Sequence, residues 1–343
     1  MAKKLNIAIA GATGFVGIEL IKKLYHHPHA EIKYLFVNES VDENIYKNLP
    51  NDITNLPSLK KIDLKLINSC DVFFSSLPHA EFHKIANDIS SNVVIIDLSA
   101  DFRLPNIKTY EEWYNVKHQS PDLQNKSVYG LSEIFRDLIK KSNLIACPGC
   151  YPTSILLPLI PLVKNKVIDL DSVLVDSKSG YSGAGKKIYN NKQYPNLDEN
   201  IAIYGVGHHR HMPEINYYLS LFAKSDLEVS FTPHLIPTFR GMLSSIYVKS
   251  KNSIDELFNI LKNFYSNNQF IKVFKSEMIN TDKVVNTNNV YISINRGNTK
   301  NMFVISCSID NLLKGAAGQA IQNFNIRFGF DEKVGLDKWK SLI

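Results

Sequence analysis

Cys150 stands in Ile145-Ala-Cys-Pro-Gly-Cys-Tyr-Pro-Thr153, after an apolar run and a Pro-Gly turn and before a second apolar run, Ile155 to Val163. That order reads as strand, tight turn, cysteine, helix start. A thiol in the first turn of a helix meets unpaired backbone N–H groups and the positive end of the helix dipole, and both favour the thiolate. The plain alternative for any cysteine is a buried core side chain. A second group able to do chemistry is Gly205-Val-Gly-His-His-Arg-His211-Met-Pro-Glu214. Adjacent histidines without a further spaced Cys/His pair do not make a standard zinc pattern, so no metal is expected. Imidazole titrates near neutrality and can exchange a proton with a thiol or hemithioacetal. Glu214 lies three residues beyond His211, within reach for orienting it if the segment is helical.

A third stretch, Lys178-Ser-Gly-Tyr-Ser-Gly-Ala-Gly-Lys-Lys187, combines glycines, hydroxyls and cations. Such a loop can cradle a phosphate or carboxylate with backbone N–H groups and lysines. It lacks the Gly-Lys-Ser/Thr ending of a P-loop, and a surface loop is the plain alternative. The fourth is Gly11-Ala-Thr-Gly-Phe-Val-Gly17, where small residues let backbone approach a pyrophosphate at a helix N-terminus. Its spacing is G-x-x-G-x-x-G, not the commoner G-x-G-x-x-G. Ser76, His79, Asp101 and Arg103 follow predicted strands and could line a ligand cleft; loop capping or a surface ion pair is the alternative for each.

These groups need a scaffold. Leu5 to Ala10 is a continuous apolar strand, and Ile18 to Leu24 has helical spacing, so the glycine loop joins strand to helix. Further strands are expected at Glu31 to Val37, Asp71 to Leu77 and Val93 to Leu98, with a helix from about Ala80 to Ile89. Residues 41–68 are polar and poorly periodic. Ser132 is a candidate N-cap for a short helix. After Cys150, Pro158 and Pro161 should kink or end the helix. Strands are expected at Asp171 to Ser177, Leu227 to Phe231, Leu243 to Lys249, Tyr291 to Asn295 and Phe303 to Ile309, with helices at Ser253 to Tyr265 and Leu312 to Ile326. Several strands with few helices suggest an α+β unit with a largely antiparallel sheet.

The chain has 343 residues, 44% hydrophobic and 21% charged, enough for two domains with full cores. No uninterrupted apolar run of about 18 residues exists, so no membrane span is expected. The first apolar run is too short for an export signal, and four cysteines are no disulfide framework, so a cytoplasmic protein is expected. The net charge of +6 is spread through many asparagines without a Lys/Arg block, which argues against nucleic acid as a partner.

Eight motifs now stand in order: Gly-Ala-Thr-Gly-Phe-Val-Gly, Leu-Pro-His, Asp-Leu-Ser-Ala-Asp-Phe-Arg, Tyr-Gly-Leu-Ser-Glu, Pro-Gly-Cys-Tyr-Pro-Thr, Asp-Ser-Lys-Ser-Gly-Tyr-Ser-Gly-Ala-Gly, His-Arg-His-Met-Pro-Glu-Ile and Asp-Asn-Leu-Leu-Lys-Gly-Ala-Ala-Gly-Gln-Ala. Together, from about Ile7 to Asn325, they closely resemble the N-acetyl-gamma-glutamyl-phosphate reductases of the semialdehyde dehydrogenase superfamily. The resemblance implies an α/β protein: a Rossmann-type dinucleotide-binding domain over 1–149, completed by a C-terminal helix at about 312–343, and an α+β catalytic and dimerisation domain over 150–311. It implies NADPH-dependent reduction of N-acetyl-L-glutamyl 5-phosphate in arginine biosynthesis, by a homodimer or homotetramer acting on a small molecule. Cys150 falls on the nucleophile, and His211 is the first choice for acid/base, with His209 second. Cofactor contacts are expected from Gly11, Thr13, Gly14, Phe15, Val16, Gly17, Ser40, Ser76, Pro78 and Asn311. Substrate contacts are expected from Arg103, Lys178, Ser179, Gly180, Ser182 and Gly183.

Two residues depart from the pattern. Cys147 stands where an asparagine is expected and creates Cys-Pro-Gly-Cys, which resembles thiol-redox motifs. Glu39 would hold a ribose hydroxyl and favour NAD, whereas Ser40 would favour NADP(H). Rival readings are an aspartate-semialdehyde dehydrogenase, a reductase of carrier-linked aminoadipyl phosphate, a thiol-disulfide oxidoreductase and a non-catalytic cofactor-binding regulator. Against the first, Pro237-Thr-Phe-Arg-Gly-Met242 carries methionine where that family carries its histidine.

Overall fold

The computed structural model describes residues 4–37, 44–186 and 199–336. The chain forms two compact units, Met1–Pro148 with Ala316–Ile343, and Gly149–Gly315.

The first unit is built on strands β1 (Leu5–Ala10), β2 (Ala30–Phe36), β3 (Leu59–Lys60), β4 (Val72–Ser75), β5 (Val94–Asp97), β6 (Val128–Tyr129) and β7 (Leu144–Ala146). Helices α1 (Phe15–Leu24), α2 (Leu64–Asn68), α3 (Ile107–Tyr114), α4 (Pro121–Gln124) and α5 (Ser132–Ile139) connect them. The strand order is β3-β2-β1-β4-β5-β7-β6, and every pairing is parallel. Ile7 to Ala10 and Val72 to Phe74 are fully buried, because a parallel sheet is covered on both faces and its strands must be apolar throughout. The strand order reverses at β1, between β2 and β4. Ligands of open α/β sheets collect at the carboxyl ends of strands at such a point, and the Gly11 loop and Ser76 stand there.

Two local expectations fail in this unit. No helix runs from Ala80 to Ile89; two 3₁₀ turns, Phe82–Lys84 and Ala86–Asp88, replace it. Ala80 adopts a left-handed backbone (φ 65°), and the N–H groups of Ala80 and His83 go to the Asp101 carboxylate, so the chain is held out of a regular helix. Ser132 is not an N-cap. Leu131 occupies that position, and the Ser132 hydroxyl donates to Asn323 Oδ1 at 2.7 Å.

The second unit contains α6 (Cys150–Lys164), β8 (Leu174–Gly180), β9 (Ala202–Ile203), α7 (Met212–Ala223), β10 (Ser230–Ile236), β11 (Met242–Lys249), α8 (Ile254–Phe264), β12 (Ile271–Lys275), β13 (Val290–Arg296) and β14 (Met302–Ile309). The sheet order is β12-β13-β14-β11-β8-β10-β9. It is largely antiparallel; β8 with β10 and β12 with β13 are the parallel pairs. β11 alternates buried and half-buried residues, as a strand with one covered face must. α6 is tied to that face by a chain of buried hydroxyls, Ser154 to Ser244 to Ser177, each step 2.7 Å. Ser253 and Glu256 form a capping box at the start of α8.

α6 runs unbroken through Pro158 and Pro161, against expectation. Proline at 161 removes the N–H that would bond the Leu157 carbonyl. The hydroxyl of Tyr265, just past α8, donates to that carbonyl instead. Tertiary packing thus supplies what the helix lacks. After β14 the chain makes a five-residue π turn, Leu313–Ala317, and returns to the first unit as α9 (Gly318–Phe328). There Gln319 and Asn323 donate to the Gly130 carbonyl at 2.8 Å each, and Asn325 bonds the buried His27 ring at 2.9 Å. No helix among the described residues is long and apolar enough to cross a membrane.

Candidate active site

Gly149 is the N-cap of α6, with extended backbone (φ −66°, ψ 158°) and no side-chain cap. Cys150 is the first residue of the helix, where backbone N–H groups point forward unpaired. Of the four cysteines, Cys70, Cys147 and Cys307 are buried and Cys150 is partly exposed. Burial pushes the thiol of Cys70 up to about 11 and that of Cys147 up to about 12, and it raises Cys307 as well. These three thiols stay protonated at neutral pH. Cys147 Sγ also lies 3.5 Å from Asn323 Nδ2 in the first unit, as a core side chain.

The histidine cluster folds onto the cysteine turn. His211 is the N-cap of α7. A β-carbon placed on Gly149 would lie 2.4 Å from His211 Nε2 and 2.8 Å from two ring carbons. Glycine at 149 is therefore what lets the imidazole sit against the backbone just before Cys150. Glu214, buried in the first turn of α7, accepts the Gly149 N–H at 2.9 Å. The expected carboxylate is thus in place, and its bond runs to the cysteine turn. His209 accepts the His211 N–H at 3.2 Å and packs edge-on against Tyr151, Tyr204 and Phe231. Burial first, then the charges of Arg210 and His208, lower its pKa to about 4, so it is neutral near pH 7. The Tyr151 hydroxyl, which receives the Tyr204 hydroxyl at 3.0 Å, is buried and its pKa rises well above the usual value.

The glycine-serine stretch is only partly a loop, because β8 continues to Gly180. Alternation along that strand turns Ser177 and Ser179 to the buried face carrying α6. Lys178 points to the opposite face, 2.8 Å from Asp176, which also lies 3.1 Å from His234. The structure therefore separates Lys178 from Ser179. Gly180, Ser182 and Gly183 stay with Ser179 and meet Asn311 and Arg240. Asn311 accepts the Gly241 N–H at 2.8 Å and donates to Ser182 Oγ at 3.0 Å, so its amide is engaged at both ends within this unit. Arg240, which the sequence reading did not select, pairs in a fork with buried Asp310. Its one sequence signal is its place in the Pro-Thr-Phe-Arg-Gly-Met segment.

In the first unit the Gly11 loop fits a dinucleotide pyrophosphate. Gly14 caps α1 in extended conformation (φ −71°, ψ 161°) with no side-chain cap, so the helix start offers backbone donors to an anion. Gly11 has φ 73°, and a β-carbon there would meet the Ser76 carbonyl at 2.3 Å. The Ser76 hydroxyl donates to the Ala10 carbonyl at 2.8 Å, lacing the end of β4 to the loop. Thr13, Gly14, Phe15 and Val16 are half-buried around the helix start, Gly17 is buried beneath it, and Pro78 is exposed beyond β4. Ser40, with Glu39, lies outside the described residues.

The Asp97-Leu-Ser-Ala-Asp-Phe-Arg motif proves to be a brace. Arg103 donates from Nε to the Cys147 carbonyl and from Nη2 to the Leu98 carbonyl, both at 2.7 Å, and is 4% exposed. Asp101 accepts from Ala80, His83 and Tyr110 and is fully buried. Burial, then the neighbouring Asp101, raises Asp97 to about 7. Arg103 and Asp101 are thus engaged within the fold, and of the expected strand-end residues only His79 is exposed. Among the described residues no group of three His, Cys, Asp or Glu side chains could hold a metal.

Comparison with known proteins places this geometry. Residues 6–142 match the semialdehyde dehydrogenase NAD binding domain, and residues 150–311 match the semialdehyde dehydrogenase dimerisation domain. Aspartate semialdehyde dehydrogenase II of Vibrio cholerae superposes with a TM-score of 0.68 at 16% identity, over 96% of this chain and 99% of that one. Aspartate semialdehyde dehydrogenase of Candida albicans, solved with NADP, superposes at 0.62 and 17% identity, over 94% and 98%. The fold is that of the semialdehyde dehydrogenases. Sequence relatives narrow the class. N-acetyl-gamma-glutamyl-phosphate reductase of Caldicellulosiruptor saccharolyticus is 44% identical over 339 residues, covering 97% of this chain and 98% of the relative. The proteins of the same name from Clostridium beijerinckii and Ehrlichia ruminantium are 43% and 42% identical over 341 and 348 residues, covering 97% and 98% of this chain and 98% of each relative. The chain belongs to the N-acetyl-gamma-glutamyl-phosphate reductase family.

Proposed function

We propose that this protein reduces N-acetyl-L-glutamyl 5-phosphate to N-acetyl-L-glutamate 5-semialdehyde with release of phosphate, as a cytoplasmic enzyme of arginine biosynthesis using NADPH. The observation that carries the reading is local: the one partly exposed thiol opens an uncapped helix, and an imidazole sits against the glycine before it. The Cys150 thiolate attacks the acyl carbon, the carbon–oxygen bond to phosphate breaks, and a thioester forms on the sulfur. The α6 N-terminus stabilises the thiolate and the oxyanion of the addition step. The dinucleotide, when bound at the Gly11 loop, supplies the hydride that reduces this thioester. Collapse of the thiohemiacetal breaks the carbon–sulfur bond and returns the electron pair to Cys150, while His211 takes the hydroxyl proton. His209 is a weaker candidate, because it is enclosed by aromatic rings and neutral.

The match to an NAD binding domain supports a nicotinamide dinucleotide, and the NADP in the Candida albicans neighbour supports NADP over NAD. The match to a dimerisation domain supports a homodimer or a homotetramer. A thiol-disulfide role is disfavoured, since the first cysteine of the Cys-Pro-Gly-Cys pair, Cys147, is buried and protonated. The test is a spectrophotometric assay with N-acetylglutamate semialdehyde and phosphate, run with NADP and with NAD. Phosphate-dependent reduction of NADP is expected; no reduction of either cofactor defeats the proposal.

A further inference from the structure

Asp310 is fully buried and more heavily engaged than a surface turn requires. Its Oδ1 accepts the N–H groups of Leu312 and Leu313 at 2.9 and 3.1 Å and Arg240 Nη2 at 3.0 Å. Its Oδ2 accepts the Asn286 N–H at 2.7 Å and lies 2.8 Å from Arg240 Nε. A carboxylate accepts about four hydrogen bonds, so Asp310 is saturated. The guanidinium meets it at both oxygens as a two-pronged fork, one prong a hydrogen bond from Nη2 and the other an ion-pair contact of Nε. Arg240 is itself wedged: a β-carbon on Gly180 would lie 2.8 Å from its Cα.

The Asp310 backbone leads to the nucleophile. Its carbonyl accepts the N–H of Gly315, five residues on, at 2.9 Å, inside the π turn Leu313–Ala317. Such wide turns are rare and concentrate at functional sites. This one brings Gly315 against Cys150, where an added β-carbon would lie 2.8 Å from Cys150 Cβ and 3.3 Å from its Cα. We infer that Arg240 and Asp310 are a positioning pair for the nucleophile: the fork holds Asp310, Asp310 holds the π turn, and the turn sets Gly315 as the wall against which the Cys150 side chain is placed. The inference rests on Cys150 being the nucleophile and goes further by naming what sets its side chain. A purely structural pair affects stability alone. A positioning pair also governs thiol reactivity and turnover in folded protein.

The test uses the full chain and its Arg240→Gln, Arg240→Lys, Asp310→Asn and Gly315→Ala variants, with Cys150→Ser as reference. Iodoacetamide alkylation of Cys150 is followed by mass spectrometry from about pH 6 to 9, beside kcat, KM and melting temperature. Arg240→Gln and Asp310→Asn are expected to slow alkylation and lower kcat by ~10- to 100-fold, with KM for the dinucleotide unchanged. Arg240→Lys should recover part of both, since it keeps the charge and loses the fork. Gly315→Ala leaves the pair intact but fills the wall, and it should move both readouts the same way. Folded Arg240→Gln and Asp310→Asn proteins with unaltered alkylation and kcat overturn the inference. Should those variants not fold, unaltered alkylation and kcat in Gly315→Ala overturn it instead. Failure of the underlying reading is seen separately, as turnover by Cys150→Ser.

Discussion

The N-termini of α1 and α6 share a backbone and differ in load. Each helix follows a parallel strand and is capped by a glycine, Gly14 or Gly149, with φ near −70° and ψ near 160° and no side-chain cap. Each therefore exposes the same donors and the same end of a dipole. At α1 the next residues are Phe15 and Val16, which carry no ionisable group, so the donors can serve an anion from outside. At α6 the next residue is Cys150, so the same donors face a thiol of the protein itself. The surroundings reinforce the split. Gly11 is crowded by Ser76, whereas Gly149 is crowded by His211. On the proposed function, one local geometry serves as a binding site or a nucleophile according to a single side chain and its neighbour.

That comparison can be broken by experiment, beginning with the largest effect. Cys150→Ser should abolish turnover while dinucleotide binding, measured by fluorescence titration, stays within about twofold; near-normal turnover would remove the distinction between the helices. His211→Asn should lower kcat by roughly 10²- to 10⁴-fold. A loss below about tenfold, with His209→Asn severe, would transfer the proton role to His209. Gly11→Val should weaken dinucleotide binding by about ten- to a hundredfold, on the order of 1.4–2.8 kcal/mol, and leave the alkylation rate of Cys150 unchanged. Equal damage to both readouts would mean the two helix starts do not act separately.

The smallest effect concerns acid stability, and each unit offers one probe. His27 in the first unit and His209 in the second both have pKa values lowered to about 4, chiefly by burial. The unfolded state binds a proton first, near pH 6.5, so stability is full above that pH and falls as pH drops toward 4. The slope is at most about 1.4 kcal/mol per pH unit for each imidazole. Melting temperatures at pH 7 and pH 5 should converge in part for His27→Gln and, independently, for His209→Gln. Unchanged pH dependence in both would show that other groups govern it.

The two helix starts were legible because their causes are local: an apolar strand, a glycine turn and the first residues of a helix lie within one short stretch. Contacts across the sequence were not. The proline-bearing helix holds because Tyr265 reaches Leu157 from 108 positions away, and no local signal announces it. Arg240 and Asp310 meet across 70 positions. Arg103 and Asp101 were picked out because charged residues after strands often face ligands; their bonds to backbone carbonyls and N–H groups across the fold had no local signal. That Lys178 and Ser179 take opposite faces follows from one structural fact, the extension of β8 to Gly180, since one step along a strand exchanges its faces. The histidine cluster was recognised by composition, but its contact with Gly149 depends on where α7 begins.

The chain leaves the first unit at Pro148 and returns to it at Ala316. During synthesis the second unit is therefore complete before the first, although the first is begun earlier. Domains tend to fold as they emerge from the ribosome, and here the emerging parallel sheet must wait for its last helix. Until α9 arrives, the Gly130 carbonyl lacks the donors of Gln319 and Asn323, and His27 lacks Asn325. A nascent chain arrested before Ala316 would hold the whole second unit beside a first unit still lacking these bonds.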